Sequence, residues 1–343
     1  MNLRREHIDL EPSLSYPFHV LATHYNFEGN PYSDSDDALT LILFHALGVH
    51  KETWEVTIAS IFNLCSSGAS QAKIRDILSI ESPNHGRSSE INANEIARQA
   101  VDNWPREYAK AAQRFLTARP LIGGSRVDLK TRKLVGICHS LGAAALFLAA
   151  QADPTIPFKF MIAFEPGVTD KDNSQRIRAN FAASAWAWLR PDVFRSRKAA
   201  RKALERDMMY ATWDPRCLDL FVEHALIAHP AAKHQAPFTF PGVITALSRD
   251  HHARSFMSDD LTFHGVEAYA AMTQRIPVYL VWGAVDEFAN DDLRDFMTKP
   301  GRTPASVSKI EDAGHMVIQQ QPEKCAEEIL SILLIESKRM ARL

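Results

Sequence analysis

The sequence is poor in cysteine, carries almost no net charge and lacks long hydrophobic runs, and each of these absences excludes a class of protein. Its four cysteines are widely spaced over 343 residues with no C-x-x-C pair, which excludes a disulfide-rich scaffold and predicts free thiols. A net charge of −2 gives no electrostatic basis for nucleic-acid binding. No apolar run is long enough to cross a bilayer, and residues 1–9 lack the apolar core of a signal peptide. The remaining composition, 46% hydrophobic and 23% charged, is that of an ordinary globular protein with a large core.

Metal-binding spacings are also missing. His251 and His252 are adjacent, so their side chains point in different directions and make a poor metal pair. No carboxylate–histidine spacing of a known kind occurs elsewhere. We therefore expect neither a metal ion nor a cofactor.

The short hydrophobic runs that are present alternate with helical patterns. Each run is apolar and partly β-branched, as expected for a strand that is buried on both faces of a parallel sheet. Strands that alternate with helices predict βαβ units with right-handed crossovers, so the predicted fold class is α/β with a mostly parallel, doubly wound sheet. After an opening strand or hairpin within 18–27, the predicted strands are 39–44, 73–80, 133–138, 158–164, 278–282 and 306–310.

This alternation breaks between residues 169 and 266, where helical runs dominate. We interpret that stretch as an α-helical lid inserted into a core that comprises residues 1–168 and 267–343. The lid is rich in aromatic and methionine side chains, among them Trp186 and Met209. These side chains would either line an apolar substrate pocket or form the lid's own core.

Residues 133–145 have the pattern of a nucleophile elbow, a strained strand–turn–helix that exposes a serine hydroxyl. A buried strand ends at Cys138 and a helix begins at Leu141, which leaves no room for an ordinary loop around Ser140. The turn needs small residues two positions before and after the serine, and Cys138 and Gly142 occupy these positions. The alternative is that Ser140 only caps a buried helix.

Two more residues fit a serine nucleophile, which needs a histidine base and an acid that orients it. In elbow-type enzymes the chain order is serine, acid, histidine. Asp286 and His315 each follow a predicted strand, so we expect them at the same edge of the sheet as Ser140. Taken singly, Asp286 fits a solvated turn and His315 a loop. Glu165, at the end of the strand 158–164, is the alternative acid.

An oxyanion hole requires two backbone N–H groups beside the nucleophile. One is expected from Leu141, the residue after Ser140. The other is expected from the loop that follows the strand 39–44, and Leu47 is the predicted donor.

The chain ends in Ala341-Arg342-Leu343, after several basic residues. A small residue, a basic residue and leucine form a relaxed version of the S-K-L peroxisomal address, which predicts binding to the peroxisomal import receptor. The alternatives are a chance match and the frayed end of the last helix. Without import, a cytoplasmic location is expected.

These motifs together resemble the α/β-hydrolase superfamily. His45-Ala46 is similar to its His-Gly pair, the loop 83–88 to its D-x-x-G-x-G-x-S-like loop, and 138–142 to its G-H-S-x-G elbow. The departures are alanine for glycine at Ala46 and cysteine for glycine at Cys138. The resemblance covers residues 18–334 except the lid, and it implies the triad Ser140, Asp286 and His315. The tail and the Asn-His-Gly loop resemble fungal lipase-like hydrolases of peroxisomes and of toxin biosynthesis.

The expected function is therefore a serine hydrolase that cleaves a carboxylic ester or thioester of a small molecule with an apolar acyl group, through an acyl-enzyme. The alternative is an acyltransferase or cyclising thioesterase of fungal toxin biosynthesis with the same triad. A binding module that merely uses the fold is a third possibility.

Overall fold

A computed structural model describes residues 3–99, 101–169, 173–259, 263–287 and 291–342. Its strands confirm each predicted buried run to within one residue. They also add an edge strand at the beginning of the chain. The strands are β1 (Leu3–Leu10), β2 (Val20–Phe27), β3 (Leu39–Phe44), β4 (Ile74–Ile80), β5 (Leu121–Ile122), β6 (Ser125–Arg126), β7 (Lys133–His139), β8 (Phe158–Phe164), β9 (Val193–Phe194), β10 (Leu226–Ala228), β11 (Val243–Thr245), β12 (Val278–Gly283) and β13 (Ser306–Ile310).

Along the chain, the helices mainly alternate with the strands of the central sheet. They are α1 (Glu55–Ser66), α2 (Gly86–Ile91), α3 (Ala93–Arg98), α4 (Trp104–Thr117), α5 (Leu141–Ala152), α6 (Ser174–Leu189), α7 (Arg197–Leu204), α8 (Pro215–His224), α9 (Arg249–Phe256), α10 (Gly265–Thr273), α11 (Asp291–Met297), α12 (Val317–Gln320) and α13 (Pro322–Met340). Of these described helices, none is long and apolar enough to span a membrane.

The central sheet has eight strands in the order β1-β2-β4-β3-β7-β8-β12-β13. Strand β2 is antiparallel to both of its neighbours, and every other pair is parallel. The predicted mostly parallel α/β fold is thus confirmed.

Strand β3 shows why its sequence is continuously apolar. Ile42 and Phe44 pack into a core cluster on one face of the sheet, together with side chains of α4, α5 and α10. Leu41 and Leu43 pack into a second cluster on the other face, with α1 and α13. A strand covered on both faces has no position for a polar side chain that lacks a partner, so alternation disappears from its sequence.

The sequence also predicts a long helix at 95–116, with a kink or boundary at Pro105, and the structure has two helices there. Helix α3 ends at Arg98, and α4 begins at Trp104. The restart has a local cause: the Asn103 side chain accepts a hydrogen bond from the Arg106 N–H, and Pro105 occupies the first turn, where its missing N–H costs nothing.

The chain between β8 and β12 contains helices, as predicted, and also a small antiparallel sheet in the order β10-β11-β9. Helix α10 packs against α5 on the central sheet. A third apolar cluster joins Ala46 and Val49, after β3, to Phe194, Trp213 and Phe221 of the intervening segment. The division at residues 168 and 266 stays a prediction.

Candidate active site

Ser140 lies in a strained turn between β7 and α5. Its backbone has φ 51° and ψ −116°, a conformation that a residue with a side chain rarely adopts. The strain is imposed by close packing, because a Cβ at Gly142 would lie 2.6 Å from the Phe44 carbonyl oxygen. Cys138 fits in place of glycine because its side chain is buried, with Sγ 3.7 Å from the Ile162 carbonyl oxygen. The geometry is that of a nucleophile elbow.

His315 lies within hydrogen-bond distance of this serine, in the loop after β13. Ser140 Oγ is 2.9 Å from His315 Nε2. Two contacts position the histidine backbone: Nε2 of His139 lies 2.7 Å from its carbonyl oxygen, and its N–H donates to Glu287 Oε2 at 2.9 Å. Gly314 leaves the necessary room, since a Cβ there would lie 2.1 Å from Glu287 Cδ. His139, one residue before the nucleophile, is a positioning residue that the sequence reasoning did not single out.

The carboxylate beside the imidazole Nδ1 of His315 is Glu165, at the end of β8. Its Oε2 lies 3.1 Å from His315 Nδ1, and its Oε1 accepts a hydrogen bond of 2.7 Å from the Gly283 N–H. Glu165 also has a positive φ, 44°, and its side chain is only 2% exposed. The three side chains therefore form one chain of contacts, Ser140–His315–Glu165.

Asp286, the acid expected first, lies elsewhere. Its Oδ1 accepts a hydrogen bond of 2.5 Å from Arg294, and its side chain is 54% exposed. Arg294 also donates to the Gly283 carbonyl oxygen at 2.7 Å, which fixes the guanidinium beside the end of β12. The sequence predicts that Asp286 contacts His315, and the structure differs. Arg294 binds the Asp286 carboxylate, and Glu165 occupies the position at Nδ1 of His315.

Burial dominates the electrostatics of the Glu165–His315 pair. It raises the pKa of the Glu165 carboxyl, against the opposing effects of the Gly283 N–H and the charges of Arg294 and Arg176. It lowers the pKa of His315, and the Arg176 charge acts in the same direction. Both shifts disfavour the charged form, so burial favours a neutral His315, whose Nε2 can accept a proton. The same burial opposes ionisation of Glu165, and the Gly283 N–H, Arg294 and Arg176 are the groups that favour its carboxylate form.

The predicted oxyanion donors flank the same position. Leu141 is the first residue of α5, directly after Ser140, and Leu47 lines the cavity above the serine. Two buried histidines shape the Leu47 loop: His45 Nε2 accepts from the Ser82 N–H at 3.1 Å, and His85 Nε2 accepts from the Gly48 N–H at 3.2 Å. The roles of Leu47 and Leu141 stay predictions.

A buried ion-pair network lies next to this loop, in the residues that follow it in the chain. The Lys51 ammonium lies 2.7 Å from Glu52 Oε1 and 3.2 Å from Glu81 Oε2. The Ser88 N–H and hydroxyl also donate to Glu81 Oε2, at 3.0 and 2.9 Å. The network therefore ties the segment after β3 to the segment after β4.

A cavity of about 400 Å³ opens above Ser140 and His315. Most of its lining is apolar and comes from the loop after β3 and from the predicted lid. Its polar lining residues are Ser140, His252, Glu287 and His315. The other lining residues are mainly apolar, apart from the Tyr210 hydroxyl and two indole N–H groups: Ala46, Leu47, Gly48, Val49, Ala179, Ala182, Ala183, Trp186, Met209, Tyr210, Trp213, Phe256 and Met316.

The predicted aromatic and methionine side chains thus divide between two environments. Trp186 and Met209 line the cavity, whereas Phe194 and Phe221 belong to the third apolar cluster. The four cysteines are free thiols, as predicted. In the part of the chain that the structure describes, no group of three or more His, Cys, Asp or Glu side chains could hold a metal ion.

Comparisons with known proteins agree with this architecture. The peroxisomal α/β-hydrolase Lpx1 of Saccharomyces cerevisiae superposes with a TM-score of 0.72 at 16% identity, over 97% of this chain and 90% of that chain. An esterase of M. tuberculosis gives 0.61 at 16% identity, over 96% and 92%. The thioesterase domain of the curacin biosynthetic pathway gives 0.62 at 14% identity, over 96% and 99%. At these identities the likeness establishes the fold alone.

A search of curated protein sequences finds no match. The family comparison, in contrast, matches residues 41–328, a range that begins in β3 and ends in α13 and contains Ser140, Glu165 and His315. This chain belongs to the alpha/beta hydrolase family.

Proposed function

We propose that the protein is a serine hydrolase that cleaves carboxylic esters or thioesters with apolar acyl groups. Ser140 is the nucleophile, His315 the general base and Glu165 the acid that orients it. The observation that carries the proposal is the continuous chain of contacts from Ser140 Oγ to Glu165, which lies at the floor of an apolar cavity. Glu165 takes the role that the sequence assigned first to Asp286.

The proposed reaction has two steps. Ser140 Oγ attacks the carbonyl carbon while its proton moves to His315 Nε2, and the resulting oxyanion is held by the N–H groups of Leu47 and Leu141. His315 then gives the proton to the departing alcohol or thiol, which leaves an acyl-enzyme. In the second step water attacks the acyl group, His315 takes the water proton and returns it to Ser140 Oγ, and the acid is released.

Glu165 supports this cycle through the charge that forms on His315. A buried imidazolium is costly unless a carboxylate lies beside it. Glu165 Oε2, 3.1 Å from Nδ1, supplies that compensation and keeps the hydrogen on Nδ1, so that Nε2 is free to accept.

Covalent labelling tests the proposal directly. We expect a fluorophosphonate probe to label the folded protein at Ser140, because only an activated serine hydroxyl attacks the phosphorus. Mass spectrometry of the labelled peptide would locate the site. Heat-denatured protein and Ser140→Ala should both remain unlabelled; equal labelling of Ser140→Ala, or an unlabelled wild type, would contradict the proposal.

The carboxyl-terminal residues support a further proposal, import into peroxisomes. Ala341 and Arg342 are exposed beyond the end of α13, as a receptor-read tail requires, and Leu343 lies outside the described residues. We expect a fluorescent protein fused ahead of Met1 to colocalise with a peroxisomal marker in fungal cells. The same fusion with Leu343→Asp should stay diffuse, and an identical distribution of the two fusions would rule the address out.

A further inference from the structure

His252 is a polar side chain in the apolar wall of the cavity, opposite the segment that carries Leu47. It lies on α9 and is 4% exposed. Its ring stacks on Phe256, with centroids 5.4 Å apart, and meets the edge of Trp186 at 5.5 Å. The imidazole is therefore held in one orientation by two aromatic neighbours that also line the cavity.

A buried arginine sets which ring nitrogen carries the hydrogen. The Arg190 Nε–H lies 3.2 Å from His252 Nδ1, and a guanidinium can only donate, so Nδ1 must be the acceptor. Arg190 is itself fixed by hydrogen bonds to Thr245 Oγ1, at 3.0 Å, and to the Leu247 carbonyl oxygen, at 2.8 Å. The hydrogen of the neutral ring is consequently on Nε2.

The Cε1–Nε2 edge of the ring packs against the loop after β3. A Cβ at Gly48 would lie 3.2 Å from Nε2 and 2.9 Å from Cε1, so the ring packs directly on this glycine, one residue past Leu47. Among the residues that the structure describes, none accepts a hydrogen bond from Nε2. A buried donor without a partner is costly, and a donor on a cavity wall gains one when a ligand binds.

Trp186, Tyr210 and Trp213 also carry donor groups in the lining, but the orientation of His252 is fixed by a buried arginine. Ser140 and His315 contact each other, and the Glu287 carboxylate accepts from the His315 N–H. The nearby Arg190 charge polarises the His252 ring and strengthens its N–H as a donor. A substrate oxygen that reaches Gly48 would therefore find a donor whose direction Arg190 fixes, in a wall that is mostly apolar.

We propose that His252 Nε2–H binds a carbonyl oxygen within the acyl chain of the substrate, so that the preferred substrates are oxo-acyl esters or thioesters and not plain fatty acyl ones. This inference rests on the proposed function, since it names the substrate class of the same site. The bound oxygen is distinct from the one that is attacked, which lies at the N–H groups of Leu47 and Leu141. A site built to pair with a substrate oxygen discriminates against an analogue that lacks it.

Matched substrates test the inference. The substrates are p-nitrophenyl esters of straight-chain acids, each paired with the oxo ester of equal length, with the ketone placed at carbons 3 to 6 in turn. For at least one position we expect wild-type kcat/KM to favour the oxo ester by about tenfold, the size of one buried hydrogen bond. In His252→Phe, which keeps the aromatic stack and removes the donor, that ratio should fall to about one.

His251→Phe is the matched control. His251 is the preceding residue on α9, and its ring packs on Trp104, 4.8 Å away, so this variant should keep the wild-type ratio. Equal rates on oxo and plain esters in the wild type would overturn the inference while leaving the proposed function intact. It would also be overturned if His252→Phe slowed every ester by the same factor, since His252 would then act on the attacked oxygen or only on the fold.

A binding measurement keeps the inference testable without turnover. In Ser140→Ala with ¹⁵N-labelled histidine, we expect the NMR signal of a protonated Nε2 at His252, which should shift on addition of cyclohexanone and not of cyclohexane. A protonated Nδ1, or no shift with the ketone, would refute the inference. Failure of the wild type to hydrolyse any ester would instead count against the proposed function.

Discussion

Replacing Glu165 with glutamine is expected to lower kcat for ester hydrolysis on the order of 10⁴-fold, the loss that follows when the acid of a serine triad becomes its amide. The carboxylate at Oε2 accepts from His315 Nδ1, whereas an amide NH₂ in the same place would donate to it. That contact favours the ring tautomer with the hydrogen on Nε2, which cannot accept the Ser140 proton. Steady-state kcat and KM on a p-nitrophenyl ester measure the loss, and circular dichroism confirms the fold.

Asp286→Asn is the control that separates the two candidate acids. Asp286 pairs with Arg294 and is half exposed, so its amide should keep kcat within about tenfold of the wild type. The same ester and conditions apply to both variants. If the Asn variant lost as much as Glu165→Gln, or if Glu165→Gln retained most of its activity, the acid would have been assigned to the wrong residue.

The sequence favoured Asp286 because position and chain order are all that a sequence shows. Both acids follow a buried strand, and the order serine, acid, histidine holds for either one. The difference lies in side-chain direction: Glu165 has a left-handed backbone and its second oxygen is held by the Gly283 N–H, whereas Arg294 binds Asp286. None of these contacts produces a residue spacing that can be recognised in the sequence.

The central strands were predictable because burial on both faces makes them largely apolar, as in β3, where the polar residue Thr40 is buried with Asp76 as its partner. Strand β1 was missed for the opposite reason. It lies at the edge of the sheet, paired only with β2, and its residues are mostly charged or polar, with most side chains at least partly exposed. Such a segment has the composition of a flexible terminus, and only the pairing partner makes it a strand.

The polar sequence of the segment 81–88 predicts a loop. In the structure Glu81, Asn84 and His85 are buried, and α2 begins at Gly86. Their burial depends on partners that are distant in the chain, such as Lys51 for Glu81 and the Gly48 N–H for His85. From the sequence alone, buried polar residues next to an active site therefore cannot be distinguished from surface residues, because their partners are not known.

The second large effect is expected from the buried ion-pair network of Lys51, Glu52 and Glu81. Lys51→Met should lower the free energy of unfolding by about 3–5 kcal/mol at pH 7, because it leaves two buried carboxylates without their ammonium partner. Lys51 contacts Glu52 at 2.7 Å and Glu81 at 3.2 Å, and all three side chains are almost fully buried. Denaturant titration of the wild type and the variant measures the difference. Lys130→Met, which removes a partly exposed pair with Asp153, should cost less than about 1 kcal/mol.

The pH dependence of this difference follows from Glu52. Burial alone would raise the pKa of Glu52, but the hydrogen bond from His50 and the Lys51 charge outweigh it and lower the pKa well below the usual range. A carboxylate with a lowered pKa in the folded state contributes stability above its unfolded pKa, and the contribution is lost as the pH falls towards the folded value. In Lys51→Met much of that contribution is already absent. The difference in the free energy of unfolding between wild type and variant should therefore be largest near neutrality. It should shrink below about pH 4.5, where carboxylates in the unfolded chain take up protons. The prediction would be contradicted if this free-energy difference stayed constant down to pH 3, or if Lys51→Met lost no more stability than Lys130→Met. Either result would show that the charges of the network do not stabilise the loop.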